Sequence, residues 1–201
     1  MTGDRAPGQR PSSPRLSAGV ITADLTRLGA ELEHLRGRAW AHVDVMDGVF
    51  CPQLTVGPVF VAAVASTGIP VDAHLMVEEP RHLLPEIAAA GPAVITVHAE
   101  ATRHLHRTMA EMTALAGEER SFIRGVAINP GTPVQAVEPV LGLLVGVDGG
   151  VTIGNAAEIA SWGIDVIVSG SAIFDRVDPA GNLELLSAQL RTPEEVSDGQ
   201  R

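Results

Sequence analysis

The segment His42-Val43-Asp44-Val45-Met46-Asp47-Gly48 combines an apolar strand pattern with side chains suited to chemistry. Side chains two positions apart on a strand point to the same face. His42 and Asp44 therefore share a face, on which they present an imidazole and a carboxylate together. The segment Asp72-Ala73-His74-Leu75-Met76 repeats the pattern, with a strand-end histidine two residues before a methionine. Both segments predict strands whose ends carry a functional site.

Apolar runs of this kind alternate with helical patterns along the whole chain. Continuous apolar runs are typical of parallel strands buried on both faces, and repeated alternation with helices predicts a parallel sheet. Seven strands are predicted, over residues 17–21, 40–44, 71–74, 93–98, 125–128, 145–148 and 166–169.

The strand ends favour a closed sheet. They carry His42 and Asp44, His74, His98, Asn129, Asp148 and Ser169. Such residues converge at the C-terminal mouth of a barrel, whereas an open sheet uses one crevice. No Gly-x-Gly-x-x-Gly follows the first strand, which disfavours a dinucleotide-binding fold. We therefore predict an α/β fold of the TIM (β/α)8-barrel type, with one strand–helix unit missing because the helix predicted to end near Leu141 runs almost directly into the strand at 145.

The composition indicates one domain and excludes several classes of function. We expect a barrel domain over residues 16–191, with a disordered tail at 1–15 and a frayed end at 192–201. The net charge of -10 argues against a nucleic-acid partner, and no apolar run has the length of a membrane span. A single cysteine, Cys51, is typical of the cytoplasm. The chain contains no lysine, which excludes Schiff-base chemistry on a lysine amine.

Four residues at the strand ends have the chemistry of metal ligands. A lone strand-end histidine usually bonds a carbonyl, and a strand-end aspartate often caps a helix. Taken together, however, His42, Asp44, His74 and Asp148 form a plausible set for Zn²⁺, Mn²⁺ or Fe²⁺, which accept mixed nitrogen and oxygen ligands. Other polar residues nearby are assigned structural roles or a place behind the ligands, namely Asp47, Asp72, His98, His104 and His106. For Met46 and Met76, core packing is the default interpretation.

Glycines in the last two strand–helix loops suggest a phosphate site. Gly149-Gly150 and Gly170-Ser171 lie where barrels often bind phosphate through backbone N–H groups. Two carboxylates beside a metal also suggest a reaction. A metal on a ketone and its neighbouring hydroxyl acidifies the intervening C–H, and if one aspartate removes this proton while the other returns one to the opposite face, the carbon inverts.

The motifs resemble those of the ribulose-phosphate 3-epimerase family, in order from about residue 16 to 174. They are His42–Gly48, Asp72–Met76, Val97–His98, Asn129–Pro133, Val147–Val151 and Ser169–Phe174. The resemblance implies a ribulose-phosphate-binding barrel that interconverts D-ribulose 5-phosphate and D-xylulose 5-phosphate through an enediolate. It implies one divalent ion (Zn, Mn or Fe, with Co as a further option) and an acid/base pair, Asp44 and Asp148. The same resemblance gives the ligands as His42, Asp44, His74 and Asp148, the substrate contacts at the reacting centre as Met46 and Met76, and the phosphate contacts as Gly149, Gly150, Gly170 and Ser171.

The chain departs from the family pattern in three places. The sixth strand, its glycine-rich loop and its helix are absent, Gly19 replaces a substrate-contacting serine, and Gln53 replaces an asparagine. Two alternatives to the pentose-phosphate epimerase therefore remain: a 3-epimerase for allulose 6-phosphate, and a non-catalytic remnant that lost its phosphate-capping loop. We expect a cytoplasmic protein of the pentose phosphate pathway, with an open sheet edge that favours a homo-oligomer.

Overall fold

The computed structural model describes residues 14–117, 121–137 and 146–190. The predicted C-terminal tail, 192–201, lies outside these ranges, as do all but the last two residues of the predicted N-terminal tail, 1–15. The first strand begins at Arg15 and ends at Gly19, two residues earlier at each end than the apolar pattern of 17–21 indicated.

Strands and helices alternate along the described chain. The strands are β1 Arg15–Gly19, β2 Trp40–Met46, β3 Val71–Met76, β4 Val94–His98, β5 Ile123–Ala127, β6 Gly146–Val147 and β7 Val166–Ser169. The helices are α1 Leu28–Glu33, α2 Pro58–Ala65, α3 Leu84–Ala89, α4 Leu105–Leu115, α5 Ala156–Ser161 and α6 Pro179–Gln189. Among the described helices none is long and apolar enough to cross a membrane.

All seven described strands belong to one parallel sheet, which confirms the predicted number. Their order is β5-β4-β3-β2-β1-β7-β6, in which β2 is the central strand and β1 pairs with both β2 and β7. This is the strand order of a closed barrel from which the strand between β5 and β6 has been removed. Among the described strands, β5 and β6 are the two ends of the sheet, and they flank the place where the sequence analysis put the missing unit.

The sheet is strongly curled, as the short distance between β3 and the end strand β6 shows. β6 lies four strand intervals from β3 in the sheet order. In a flat sheet, with strands about 4.8 Å apart, four intervals would separate them by about 19 Å. Yet Oδ2 of Asp148, the residue after β6, lies 3.4 Å from Nδ1 of His74 on β3. The seven strands therefore form a barrel that is open on one side.

The two faces of the sheet differ in polarity. Along β2, Ala41, Val43 and Val45 are buried in the main apolar core. Since side chains alternate along a strand, the residues between them point to the opposite face, the barrel interior. The outer face packs against helices through fully buried side chains that include Leu84, Ile87, Met112, Leu183 and Leu186.

Register brings the inner side chains of β2 and β3 level with one another. Asp44 is paired with His74, and Met46 with Met76, in the parallel ladder. Each methionine lies two residues after the polar residue on its own strand. The Met46–Met76 pair therefore lies next to the Asp44–His74 pair, on the side towards the C-terminal ends of the strands. The inner face of the barrel thus presents a polar layer capped by a methionine layer at the C-terminal mouth.

Candidate metal centre

His42 and Asp44 lie together on the inner face of β2. His42 is buried, with 3% of its surface exposed, and Asp44 is partly exposed. Nε2 of His42 lies 3.0 Å from Oδ1 of Asp44. The geometry follows directly from their spacing of two residues along one strand.

His74 and Asp148 complete the cluster from other strands. Nδ1 of His74 lies 3.2 Å from the same Asp44 oxygen. Asp148 approaches from beyond β6, with Oδ2 at 3.6 Å from Nε2 of His42 and 3.4 Å from Nδ1 of His74. One ligand atom from each of the four residues lies within 4.8 Å of every other. The structure therefore brings together all four of the proposed metal ligands.

The spacing of these atoms fits a single divalent ion. Nitrogen and oxygen ligands lie about 2.1 Å from a zinc-type ion, and at angles of about 90–110° they would be about 3.0–3.4 Å apart. The four separations between a histidine nitrogen and an aspartate oxygen run from 3.0 to 3.6 Å, and all four ligand atoms lie within 4.8 Å of one another. Two imidazoles and two carboxylates also form a donor set of the mixed nitrogen and oxygen type that Zn²⁺, Mn²⁺ and Fe²⁺ accept.

His42 is held from behind by a buried carboxylate. Its Nδ1 lies 2.8 Å from Oδ2 of Asp72, and that same oxygen accepts a hydrogen bond of 3.0 Å from the Ser17 hydroxyl. Because a carboxylate only accepts, Nδ1 of His42 carries the proton, and Nε2 faces Asp44 and Asp148. The sequence analysis gave Asp72 a structural place or one behind the ligands, and its contact with His42 agrees with that.

His74 is backed by a second histidine. Its Nε2 lies 2.9 Å from Nε2 of His98, whose Nδ1 lies 3.3 Å from Oε2 of Glu100. Sequence analysis gave His98 only a general structural role and did not single out Glu100. The available signal was position, because His98 ends β4 beside β3, and Glu100 follows it by two residues. Among the described contacts, none joins His104 or His106 to the four clustered side chains.

Charge and burial oppose one another in this cluster. Burial by itself lowers the pKa of His42 and His74, but hydrogen bonds to Asp148 and Asp44 outweigh it and raise both, that of His42 well above its usual value. Burial raises the pKa of Asp44, but hydrogen bonds from His42 and His74 prevail and lower it to about 2. The same two histidines hold the pKa of Asp148 far below its usual range. Both carboxylates are therefore ionised at neutral pH, and the cluster attracts positive charge.

The methionines and the loop glycines lie around this cluster. Met46 and Met76 are partly exposed at the ends of β2 and β3. Gly149 and Gly150 follow Asp148 with φ angles of +90° and +69°, a backbone conformation that favours glycine. Gly170 and Ser171 follow β7, the strand that pairs with β6.

Gly19 packs tightly against the loop after β7. A Cβ atom at Gly19 would lie 3.1 Å from Cα of Gly170, closer than side chains normally approach a backbone atom. The Thr22 hydroxyl donates to the Gly19 carbonyl at 2.8 Å and packs beside Gly170 as well. A serine at position 19 would need this loop to shift. Glycine at this position therefore permits the close packing of β1 against the loop after β7.

Comparison with known proteins identifies the family. A model of the ribulose-phosphate 3 epimerase family matches residues 15–146. The chain is 33% identical to ribulose-phosphate 3-epimerase of Bacillus subtilis (strain 168), over 82% of this chain and 94% of that protein. It is 31% identical to the Escherichia coli (strain K12) enzyme, over 87% and 95%. With the chloroplastic enzyme of Arabidopsis thaliana it shares 32% identity, over 88% and 77%.

The alignment with the Bacillus subtilis enzyme is longer than the part of this chain that it covers. The match to the Bacillus subtilis enzyme extends over 208 positions but takes in only 82% of this chain. Since 82% of 201 residues is about 165, roughly 40 aligned positions have no residue of this chain. That number suits the loss of one strand–helix unit, which the open side between β5 and β6 also indicates.

Solved structures share the fold at low sequence identity. KGPDC from Streptococcus mutans superposes with a TM-score of 0.68 at 12% identity, covering 89% of this chain and 97% of that one. Orotidine 5'-phosphate decarboxylase from Pyrococcus horikoshii OT3 gives 0.61 at 16% identity, over 88% and 99%. These likenesses confirm the predicted barrel type. Together with the family match, they lead to the conclusion that the chain belongs to the ribulose-phosphate 3-epimerase family, whose named members are isomerases acting on carbohydrates.

Proposed function

We propose that this protein is a metal-dependent 3-epimerase that interconverts D-ribulose 5-phosphate and D-xylulose 5-phosphate. The observation that carries the proposal is the gathering of His42, Asp44, His74 and Asp148 within 4.8 Å at the mouth of a barrel of this family. The proposed setting is the cytoplasm and the pentose phosphate pathway. The proposed cofactor is one divalent ion, and the donor set suits zinc, manganese or iron, with cobalt as a further option.

The two aspartates are the proposed acid and base. A divalent ion bound by the four side chains would polarise the substrate ketone and so increase the acidity of the C3–H bond. One aspartate, as carboxylate, takes the C3 proton and leaves an enediolate. Because both carboxylates are ionised in the metal-free cluster, the other must first take up a proton from solvent. As carboxylic acid it then gives a proton to the opposite face of C3, and the two exchange protonation states with each turnover. Asp44 belongs to β2 and Asp148 follows β6, three strand intervals away, which suits approach from two sides.

The remaining proposed contacts hold the substrate. Met46 and Met76 would cover the reacting carbons with apolar side chains, since they form the layer next to Asp44 and His74. The N–H groups of Gly149, Gly150 and Ser171 would bind the phosphate. Among the residues that the structure describes, these three N–H groups have no hydrogen-bond acceptor, and all three residues are exposed. Gly170 would allow the phosphate to approach the loop closely.

The open side of the barrel favours a second candidate, a non-catalytic remnant. Among the described strands β5 and β6 are the unpaired ends of the sheet, and roughly 40 aligned positions of the Bacillus subtilis relative have no counterpart in this chain. A protein of this kind would bind metal but fail to enclose a substrate. The remnant and the epimerase share the same four-ligand cluster, so only a measurement of turnover separates them.

Proton exchange at C3 tests both candidates. Purified, metal-loaded protein is incubated with D-ribulose 5-phosphate in D₂O and followed by NMR. We expect deuterium at C3 together with xylulose 5-phosphate. Exchange without inversion would show that one aspartate works and the other is misplaced. If a folded, metal-containing protein gives no exchange with this substrate or with allulose 6-phosphate, the remnant is the correct description.

A further inference from the structure

We propose that His98 and Glu100 are a positioning pair for His74, whose ring they hold with Nδ1 turned to the metal site. The inference rests on the proposed role of His74 as a ligand, but its test measures metal binding and needs no turnover. Neither residue belongs to the four clustered side chains, and each acts through His74.

The contacts form a continuous chain away from the metal cluster. Nε2 of His74 lies 2.9 Å from Nε2 of His98, and Nδ1 of His98 lies 3.3 Å from Oε2 of Glu100. The two imidazole rings are nearly parallel, with an interplanar angle of 20° and centroids 5.0 Å apart. The ring of Phe50 packs on His98 from another side, with centroids 4.9 Å apart. Since His98 is buried, its ring is confined by these neighbours.

The direction of the hydrogen bonds decides the tautomer. An ionised carboxylate only accepts, so the Glu100 contact places a proton on Nδ1 of His98. In neutral His98, Nε2 is then the acceptor, and the proton between the rings belongs to Nε2 of His74. In the metal-free protein Nδ1 of His74 also carries a proton, since the carboxylates of Asp44 and Asp148 that face it only accept. When a metal displaces this proton, Nδ1 offers the metal a lone pair while Nε2 keeps its proton. A ring turned the other way would present Nε2 to the metal and lose the contact with His98.

The two ligand histidines are thereby oriented in opposite ways. His42 turns Nε2 to the cluster, and its Nδ1–H donates a hydrogen bond directly to Asp72. His74 turns Nδ1 to the cluster and reaches a carboxylate only through His98. Opposite tautomers at these two positions are a specific expectation, which general stabilisation of the barrel would not produce.

Glu100 is itself fastened to the loop after β5. It accepts a hydrogen bond of 2.8 Å from the Asn129 N–H and another from the Thr132 hydroxyl. These two residues follow the strand that forms one free edge of the sheet. Therefore the support of His74 draws on β4 and on the β5 loop, both of which the chain retains, and not on the missing unit.

The test measures the tautomer and the metal affinity of the full chain. Histidine labelled with ¹⁵N distinguishes the two tautomers by long-range ¹H–¹⁵N spectra, recorded with zinc bound. We expect zinc-bound His74 to carry its proton on Nε2 and zinc-bound His42 to carry its proton on Nδ1. Zinc bound through Nε2 of His74, with the proton on Nδ1, would overturn the proposal, whether or not any variant folds.

Substitutions at Glu100 supply the second measurement. Glu100→Ala should weaken zinc binding by about 10- to 100-fold, the range typical for groups that orient metal ligands. Glu100→Gln keeps an acceptor oxygen and should recover most of that loss. The control is Glu79→Ala, since the Glu79 carboxylate also fastens a loop, through the Arg103 N–H and the Thr102 hydroxyl, and among the described contacts it does not touch a histidine ring. Equal zinc affinity in Glu100→Ala and Glu79→Ala would contradict the proposal.

Discussion

Asp72 shows how much depends on one buried side chain. A single oxygen of this residue accepts from both the Ser17 hydroxyl and Nδ1 of His42, and all three residues are buried. Removing the carboxylate would leave two buried donors without a partner. A buried donor that loses its acceptor costs about 1–3 kcal/mol, whereas the loss of one partner hydroxyl costs less.

We therefore expect Asp72→Ala to lower the free energy of unfolding by about 1–3 kcal/mol and also to weaken zinc binding. Urea denaturation and a zinc competition titration would measure the two effects. Ser17→Ala is the matched control, because it removes one hydrogen bond to the same oxygen but leaves His42 paired. An Asp72→Ala protein that binds zinc as tightly as Ser17→Ala would show that Asp72 does not orient His42.

Protonation of the ligand histidines should govern metal affinity. The pKa values of His42 and His74 are raised by their hydrogen bonds to Asp148 and Asp44, which outweigh the opposing effect of burial. Protons therefore stay on the metal-free imidazoles above the ordinary histidine pKa of about 6.5. Zinc must displace them, so its affinity should still rise between pH 7 and pH 8, by about tenfold per pH unit for each proton displaced. Titrations at constant ionic strength would show this, and a plateau already at pH 7 would argue against the raised values.

At the scale of the element, helix α6 shows how local sequence defines a boundary. Asp178 precedes the helix, its carboxylate accepts from the Gly181 N–H at 2.9 Å, and Pro179 occupies the first turn. Both features satisfy or remove N–H groups that a helix start leaves unpaired. On the inner face of α6, Leu183 and Leu186 are completely buried. The capped start therefore fixes where the helix begins, and the buried leucines fix which face packs on the core.

Replacing this cap should destabilise the fold modestly. Asp178→Ala is expected to cost about 1 kcal/mol of unfolding free energy, the usual value for a lost N-cap. The comparison is Glu184→Ala on the same helix, whose exposed pair with Arg38 should contribute less than about 0.5 kcal/mol. Urea denaturation of both variants would measure the two losses of unfolding free energy. Equal losses would show that the Asp178 cap stabilises the protein no more than the exposed ion pair does.

At the scale of the whole molecule, the open side is the main difference from a closed barrel. β5 and β6 each have one paired and one free edge among the described strands. Free edges leave backbone N–H and C=O groups available for pairing with other chains. The four-ligand cluster nevertheless forms, because its supports come from β1 to β4 and from the residue after β6.

Closing the barrel should increase both stability and turnover. We expect a chimaera that carries, between β5 and β6, the roughly 40 residues of the Bacillus subtilis relative without a counterpart here to melt at a higher temperature than this chain. It should also epimerise faster if the proposed function is correct, because the added loop would enclose the phosphate. Calorimetry and the D₂O exchange experiment would measure these changes. A chimaera that folds but melts lower would show that the edges are already satisfied in the natural protein.

The sequence by itself determined the elements and the composition of the cluster. Apolar runs alternating with helical patterns predicted seven parallel strands, and the short interval before position 145 predicted the missing unit. The spacing of two residues placed His42 beside Asp44, since strand geometry relates neighbours along one element without reference to the rest of the fold.

Only the tertiary structure decided which side chains meet across elements. Asp148 contacts His74 although β6 and β3 lie four intervals apart in the sheet, because curvature brings these two strands to face one another across the barrel. The contact of His98 with His74, and the direction in which Glu100 orients it, likewise depend on register between β3 and β4. The distances between side chains on different strands depend on strand pairing and sheet curvature. The spacing of residues along the chain does not determine either of these.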